Sequence, residues 1–269
     1  MRYRPFLAVF VSVIVTLFAV CGSASAASKT PLTYDQIRNT GKAAICPTVG
    51  DDARGKIEVP LGKTVKLTDI CLQPVRIEVE EEKRNGEKEF IQAKSILLPA
   101  ASLGPIKAEV SAQDSTTLSL RVTDGMTTQP TTGQMPRREL VPFLFSVKNL
   151  QAVAKGSDAS INSSTDFEGN FLVPGYHTSQ FLDPRGRGSG TGYEVAVGLQ
   201  GTESDAFETN QKVDEISEGH LSLRIARVDG STGELAGSFV SLQPSSTEQG
   251  ALESKLVRVQ GLFYGRVDS

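Results

Sequence analysis

The sequence predicts an all-β protein, an antiparallel β-barrel of about eight strands with an extended loop or head region. Three observations carry that prediction. From Ile57 to Val110, and again from Leu221 to Val267, apolar residues alternate with polar ones at period two, the period of a strand that buries one face. Turn-forming clusters recur between these runs at fairly even spacing, Asn85-Gly86 and Asp229-Gly230-Ser231-Thr232-Gly233 among them. No long stretch repeats at the helical period. Closing the sheet on itself would dispose of exposed strand edges.

Residues 1–26 read as a cleaved signal peptide. Arg2 and Arg4 precede an apolar run from Phe6 to Val20, and Ala24-Ser25-Ala26 supplies the small residues of a cleavage site. A run of about 15 apolar residues is short for a stable span, which favours removal over anchoring. Residues 27–269 then form a single domain of 26 basic and 31 acidic residues. This mildly acidic, exported chain excludes the basic balance of nucleic-acid binders and gives no reason for an anionic membrane as partner. Of three cysteines, Cys46 and Cys71 remain after cleavage, and an even pair in an oxidising compartment most simply forms one disulfide. There is no C-x-x-C spacing for redox chemistry, and no nearby histidine to complete a metal site.

Leu32-Thr33-Tyr34-Asp35-Gln36-Ile37 reads either as a short helical turn capped by Thr33 or as a docking arm. Strands are expected around Val65 and Leu67, around Val75, Ile77 and Val79, from Phe90 to Leu98, from Ile106 to Val110, and around Leu118, Leu120 and Val122. The Thr-rich segment Asp124 to Gly133 is expected to be a loop. Leu140 to Val147 is a core strand whose Pro142 belongs at an edge or bulge. Gly156 to Asp166 reads as a small-polar linker and opens an extended region over about 156–218, in which Gln200 to Ser217 is an acidic surface excursion. Leu221 to Val228, Leu235 to Leu242 and Leu256 to Val267 close the fold.

The chain lacks the parts of the common hydrolases. His177 and His220 are its two histidines, and neither H-E-x-x-H nor G-x-S-x-G occurs. The most informative stretch is Phe167 to Tyr193, where apolar runs stop at Pro174-Gly175 and at Asp183-Pro184 before Arg185-Gly186-Arg187-Gly188. Glycine lets another surface approach the backbone, and arginine presents a planar fork of donors, so the stretch reads either as a displayed contact loop or, over Gly186 to Gly192, as a flexible turn, with no catalytic constellation beside it.

These residues also carry a resemblance. FLVPGYHTSQFLDPRGRGSGTGY, with the Leu32–Ile37 motif, Cys46-Pro47-Thr48, Cys71-Leu72-Gln73-Pro74, Val141–Phe145, Thr232–Gly237 and Val259–Tyr264 in order, resembles the extrinsic manganese-stabilising family of photosystem II, the O subunits of the oxygen-evolving complex. The resemblance implies a non-enzymatic subunit that stabilises the manganese-calcium-oxo cluster held by partner subunits and binds no metal or cofactor itself. It implies docking to reaction-centre and core-antenna subunits, alongside other extrinsic subunits. It places the chain peripherally, on the lumenal side of a thylakoid or the periplasmic side of a photosynthetic plasma membrane. It assigns Thr33, Tyr34, Asp35 and Ile37 to a docking arm, and Asp183, Arg185 and Arg187, with His177, to the contact loop. His177 stands where members usually carry arginine, which would make one contact pH-dependent. Pro136-Arg137-Arg138-Glu139-Leu140 replaces a GGER-like turn, so a contact of that turn is not carried over from the family, and Ser254 lies where some relatives carry a histidine suggested to bind calcium, so no calcium site is expected there. The alternative is an exported barrel that binds a small ligand in an apolar cavity.

Overall fold

The computed structural model describes residues 33–34, 46–95, 102–156, 158–174, 216–246 and 254–268. Their regular elements are thirteen strands: β1 (Ile57–Glu58), β2 (Thr64–Glu82), β3 (Lys88–Ser95), β4 (Leu103–Ala112), β5 (Thr117–Gly125), β6 (Thr128–Gln134), β7 (Leu140–Ser146), β8 (Lys148–Lys155), β9 (Ser160–Ile161), β10 (Asp166–Val173), β11 (Ser217–Asp229), β12 (Glu234–Pro244) and β13 (Leu256–Val267). Eight of them run β13-β12-β11-β10-β8-β5-β4-β2, every neighbouring pair antiparallel, and β13 pairs back onto β2 to close a barrel. The all-β barrel expected from the periodicity is therefore what the chain forms.

The 19-residue β2 is long enough to serve two sheets. Its first half, Thr64 to Leu72, pairs with β4 in the barrel, while Ile77 to Glu82 pairs with β3 beyond the barrel mouth. Pro74 falls in the gap between these partners, where a missing N–H breaks no ladder on that side. β3 then pairs with β6, and β6 with β7, making a head sheet whose edge strand is β7, with Pro142 on it. The head caps the barrel. Phe145 of β7 stacks on Phe239 of β12 with centroids 5.7 Å apart. Gln243 Nε2 donates to the Leu144 carbonyl at 2.6 Å, and Ser146 Oγ donates to the Leu172 carbonyl at 2.6 Å. Burying these polar groups costs little because each finds a partner.

Inside, one continuous core fills the barrel and extends under the head: Val110, Leu118, Phe167, Leu221, Val257 and Val259 are each at most 1% exposed, as are Phe143 and Phe145. Side chains at alternate positions supply it, as the period-two pattern requires. Strand corners are made by bulges with glycine. At the β11–β12 bulge a Cβ on Gly237 would lie 1.8 Å from the Arg224 carbonyl oxygen, and at the β13–β2 bulge one on Gly261 would lie 1.9 Å from the Gln73 carbonyl oxygen. Only glycine lets the neighbouring strand come so near.

Two expectations are corrected, and one strand had no expectation at all. The Thr-rich segment after Asp124 is no loop: Thr128–Gln134 is β6, and Thr128 and Thr131 are 5% and 1% exposed. Threonine's branched Cβ suits a half-buried strand, and here its methyl substitutes for the missing aliphatics. β8 went unread because Leu150, Ala152 and Ala154 make a weak apolar stripe, although all three are buried. The Gly156–Asp166 linker contains β9, which pairs with β1, and it buries Ser160 and Thr165. Of the extended region 156–218, the part described up to residue 174 holds β9 and the barrel strand β10.

Candidate partner-docking site

The described part of the arm is bound to its own barrel. Tyr34 is only 4% exposed and belongs to a small cluster, separate from the main core, with Cys46, Val49, Ala236, Leu262 and Tyr264. The Arg227 guanidinium lies 5.7 Å from the centre of the Tyr34 ring, within range of a cation–π attraction. Thr33 beside it is exposed. Ala236 on β12, and Leu262 and Tyr264 on β13, point out of the barrel while Leu235 and Phe263 point into its core. Both faces of these strands are thus buried. The signal was present in Leu262-Phe263-Tyr264, because three consecutive apolar residues in an antiparallel strand mean a covered outer face.

A second fastening follows a few residues on. Cys46 and Cys71 form the expected disulfide, with Cα atoms 5.6 Å apart, tying the segment to β2. The Cys46 N–H donates to Gln73 Oε1 at 3.1 Å. At the edge of this small cluster, Tyr264 Oη donates to Glu234 Oε1 at 2.7 Å, and Thr232 Oγ1 donates to Glu234 Oε2 at 3.0 Å. Burial, reinforced by the bond to the Glu234 carboxylate, pushes the Tyr264 phenol up to about 12.

The segment expected to hold the contact loop has both its stems at the head end. β10 ends at Val173 and β11 begins at Ser217, paired with each other on the rim that carries the head. Asp35, Ile37, His177, Asp183, Arg185 and Arg187 lie outside the described residues. The structure therefore fixes the loop's two stems and the arm's anchor. The same rim holds an ionic junction that sequence reading missed: Lys255 Nζ lies 2.6 Å from Glu139 and 3.4 Å from Glu81, joining the β12–β13 connection to the head. Burial pulls the ammonium's pKa down, but the hydrogen bond to Glu139 and the charge of both carboxylates outweigh it and hold the pKa above the ordinary lysine value.

On the outer wall, His220 shares a 3.0 Å hydrogen bond with Asn170 beside an open cleft of about 530 Å³ of mixed lining, Asn149, Gln151 and Glu218 with Phe171 and Leu172. Among the described residues no three His, Cys, Asp or Glu side chains converge as a metal-binding group.

Comparison with known proteins agrees with these motifs. The model of the family described as manganese-stabilising protein / photosystem II polypeptide matches residues 30–267. Photosystem II extrinsic protein O of Nostoc sp. is 42% identical over 273 residues, covering 100% of both chains, and that of Synechocystis sp. is 43% identical over 273 residues, covering 100% of this chain and 99% of its own. The chloroplastic oxygen-evolving enhancer protein 1 of Chattonella marina var. antiqua is 37% identical over 88% of this chain and 76% of its own. With the barrel, the disulfide and the ordered motifs alongside a match over nearly its whole length, this chain belongs to the manganese-stabilising protein / photosystem II polypeptide family.

Proposed function

We propose that this protein is an extrinsic, non-catalytic subunit of photosystem II that stabilises the manganese-calcium cluster of the oxygen-evolving complex and supports water oxidation, without ligating the manganese. The observation that carries this reading is the match of residues 30–267 to the family described as manganese-stabilising protein / photosystem II polypeptide, together with the end-to-end similarity to proteins named photosystem II extrinsic protein O. Supporting it, the barrel is built to hold surface segments: the arm is fastened at Tyr34 and Cys46, and the contact loop is rooted in two paired strands. Thr33, Tyr34, Asp35 and Ile37, with His177, Asp183, Arg185 and Arg187, form the docking set. The protein works on the exported side, lumenal or periplasmic, held peripherally through reaction-centre and core-antenna subunits. The small-ligand alternative required an apolar cavity inside the barrel, and the described interior is filled by buried Leu, Val, Ile and Phe side chains.

The test is to add the mature, oxidised protein to photosystem II membranes stripped of extrinsic subunits and to measure saturable rebinding together with oxygen evolution at low chloride. Restored activity is expected, and replacing Arg185 and Arg187 together should weaken rebinding while leaving the fold intact. A folded sample that neither binds nor restores activity with membranes from its own source would overturn the reading.

A further inference from the structure

Two hairpins of this protein use the same turn, and they fill its most demanding position differently. In the β2–β3 hairpin the Gly86 N–H donates to the Lys83 carbonyl at 2.8 Å and the Lys83 N–H to the Glu87 carbonyl at 2.9 Å, with Gly86 at φ +78°. In the β6–β7 hairpin the Arg138 N–H donates to the Met135 carbonyl at 2.9 Å and the Met135 N–H to the Glu139 carbonyl at 2.8 Å, with Arg138 at φ +68°. This is a type I turn followed by a left-handed residue, a position that favours glycine. The first hairpin takes glycine. The second holds an arginine in a conformation that L side chains adopt only under strain.

What the strained residue presents is a cationic corner on an acidic protein. Pro136, Arg137 and Arg138 are exposed at the tip. Lys94 of β3, Gln134 of β6 and Leu140 of β7 lie side by side in register, with Lys94 exposed and Leu140 48% exposed. Lys88, Lys107, Arg121 and Arg266 elsewhere on the surface each face a carboxylate. Lys94, Arg137 and Arg138 take part in no ion pair among the described residues, as is also true of Lys63, Lys66, Arg84, Lys148 and Lys155, but at this corner such cations stand together, two of them adjacent at one turn, on a chain that is formally −3. The corner is also rigid. Met135 is 3% exposed beneath the turn, and Glu139 is pinned by Lys255.

We propose that this corner, Lys94, Arg137, Arg138 and Leu140, is a docking surface for an acidic protein segment of the complex onto which the chain assembles, a site separate from the arm and the contact loop. The assignment rests on the assembly role proposed above. It also follows from placement, because the head stands on the rim from which the contact loop leaves, so one approach brings both to a partner. Arginine forks would pair with carboxylates, and Leu140 would supply an apolar contact within the charged ring.

The experiment compares rebinding to stripped photosystem II membranes across a sodium chloride series for the wild type, Arg137→Glu/Arg138→Glu, Arg138→Gly, and the charge-matched control Lys63→Glu/Lys155→Glu, whose sites are exposed at the opposite rim. The double tip variant should bind about tenfold more weakly and with a shallower salt dependence, whereas the control should match the wild type. Arg138→Gly should melt no lower than the wild type, since the strain is relieved, yet bind more weakly. Equal affinity and salt slope for the tip variant and the control would overturn the docking surface while leaving the assembly role in place. Absence of wild-type binding would remove the assembly role and this surface with it. Vesicles containing phosphatidylglycerol form the last arm: tip-dependent binding to them would identify a lipid headgroup instead of a protein segment and overturn the proposal as stated.

Discussion

Replacing Gly237 with alanine tests the claim that glycine bulges shape the barrel. The added Cβ would lie 1.8 Å from the Arg224 carbonyl oxygen, 2.8 Å from its carbon and 3.1 Å from the Ile225 Cα. All three are backbone atoms of the paired strand β11, so no side chain can swing aside. To open the first distance to the 3.0 Å below which real Cβ atoms are essentially never found, β11 and β12 must separate where their ladder is already interrupted by a bulge. Overpacking costs about 1–3 kcal/mol, and an all-backbone collision belongs at the upper end, about 3 kcal/mol. For a domain of this size that lowers Tm by about 6–12 °C. The control is Gly62→Ala, at φ +73° with nothing within 4 Å of the added carbon. It carries backbone strain alone, about 1–2 kcal/mol. The assay is thermal unfolding of the oxidised proteins by circular dichroism and calorimetry. If Gly237→Ala melts within about 2 °C of the wild type, or no lower than Gly62→Ala, the bulge accommodates a side chain and the argument from close approach is wrong.

Cys46→Ala/Cys71→Ala should lose up to about 3.5 kcal/mol, the chain-entropy value for a loop closing 25 positions, read as a lower midpoint in urea. Lys255→Met should cost about 1 kcal/mol near neutral pH, a modest figure because the ion pair is partly exposed. A pKa raised in the folded state means that the wild type's advantage is fully present below the ordinary lysine value of 10.5 and is lost as pH rises through the raised value, so the two melting curves should converge at high pH. Tyr264 should ionise near 12 in a spectrophotometric titration, later than an exposed tyrosine at about 10. Because its neutral form is favoured by folding, stability should fall as pH rises from 10 towards 12, and Glu234→Gln should bring the phenol's midpoint down.

The barrel was legible wherever aliphatic and aromatic residues carried the alternation. Leu221, Leu223 and Ile225, or Val257 and Val259, declare both a strand and its buried face. It was not legible where burial used other chemistry. β6 buries threonines and Gly133 lies against Ala93, while β8 spends alanines on the core, so neither shows an apolar period. β2 read as separate strands because Pro74 interrupts the run, and only its position between two pairing partners explains how one strand passes through it. The same division holds at the candidate site. Thr33-Tyr34 and the cysteine pair announced themselves as local motifs. That Tyr34 would bury its ring under Arg227 could not be read, because that contact joins residues far apart in the chain.

The closing seam has a consequence for how the molecule is made. Val79 of β2 meets Val257 of β13, so the barrel joins one of its earliest strands to its last. Until Leu256–Val267 has been synthesised, the strands before it form an open sheet with two unsatisfied edges and no sealed core. Pairing so distant in sequence is slow to nucleate, since the loop entropy must be spent before the contacts form. A nascent chain is therefore unable to complete its fold until Leu256–Val267 has left the ribosome, so the barrel can only seal after synthesis of this strand.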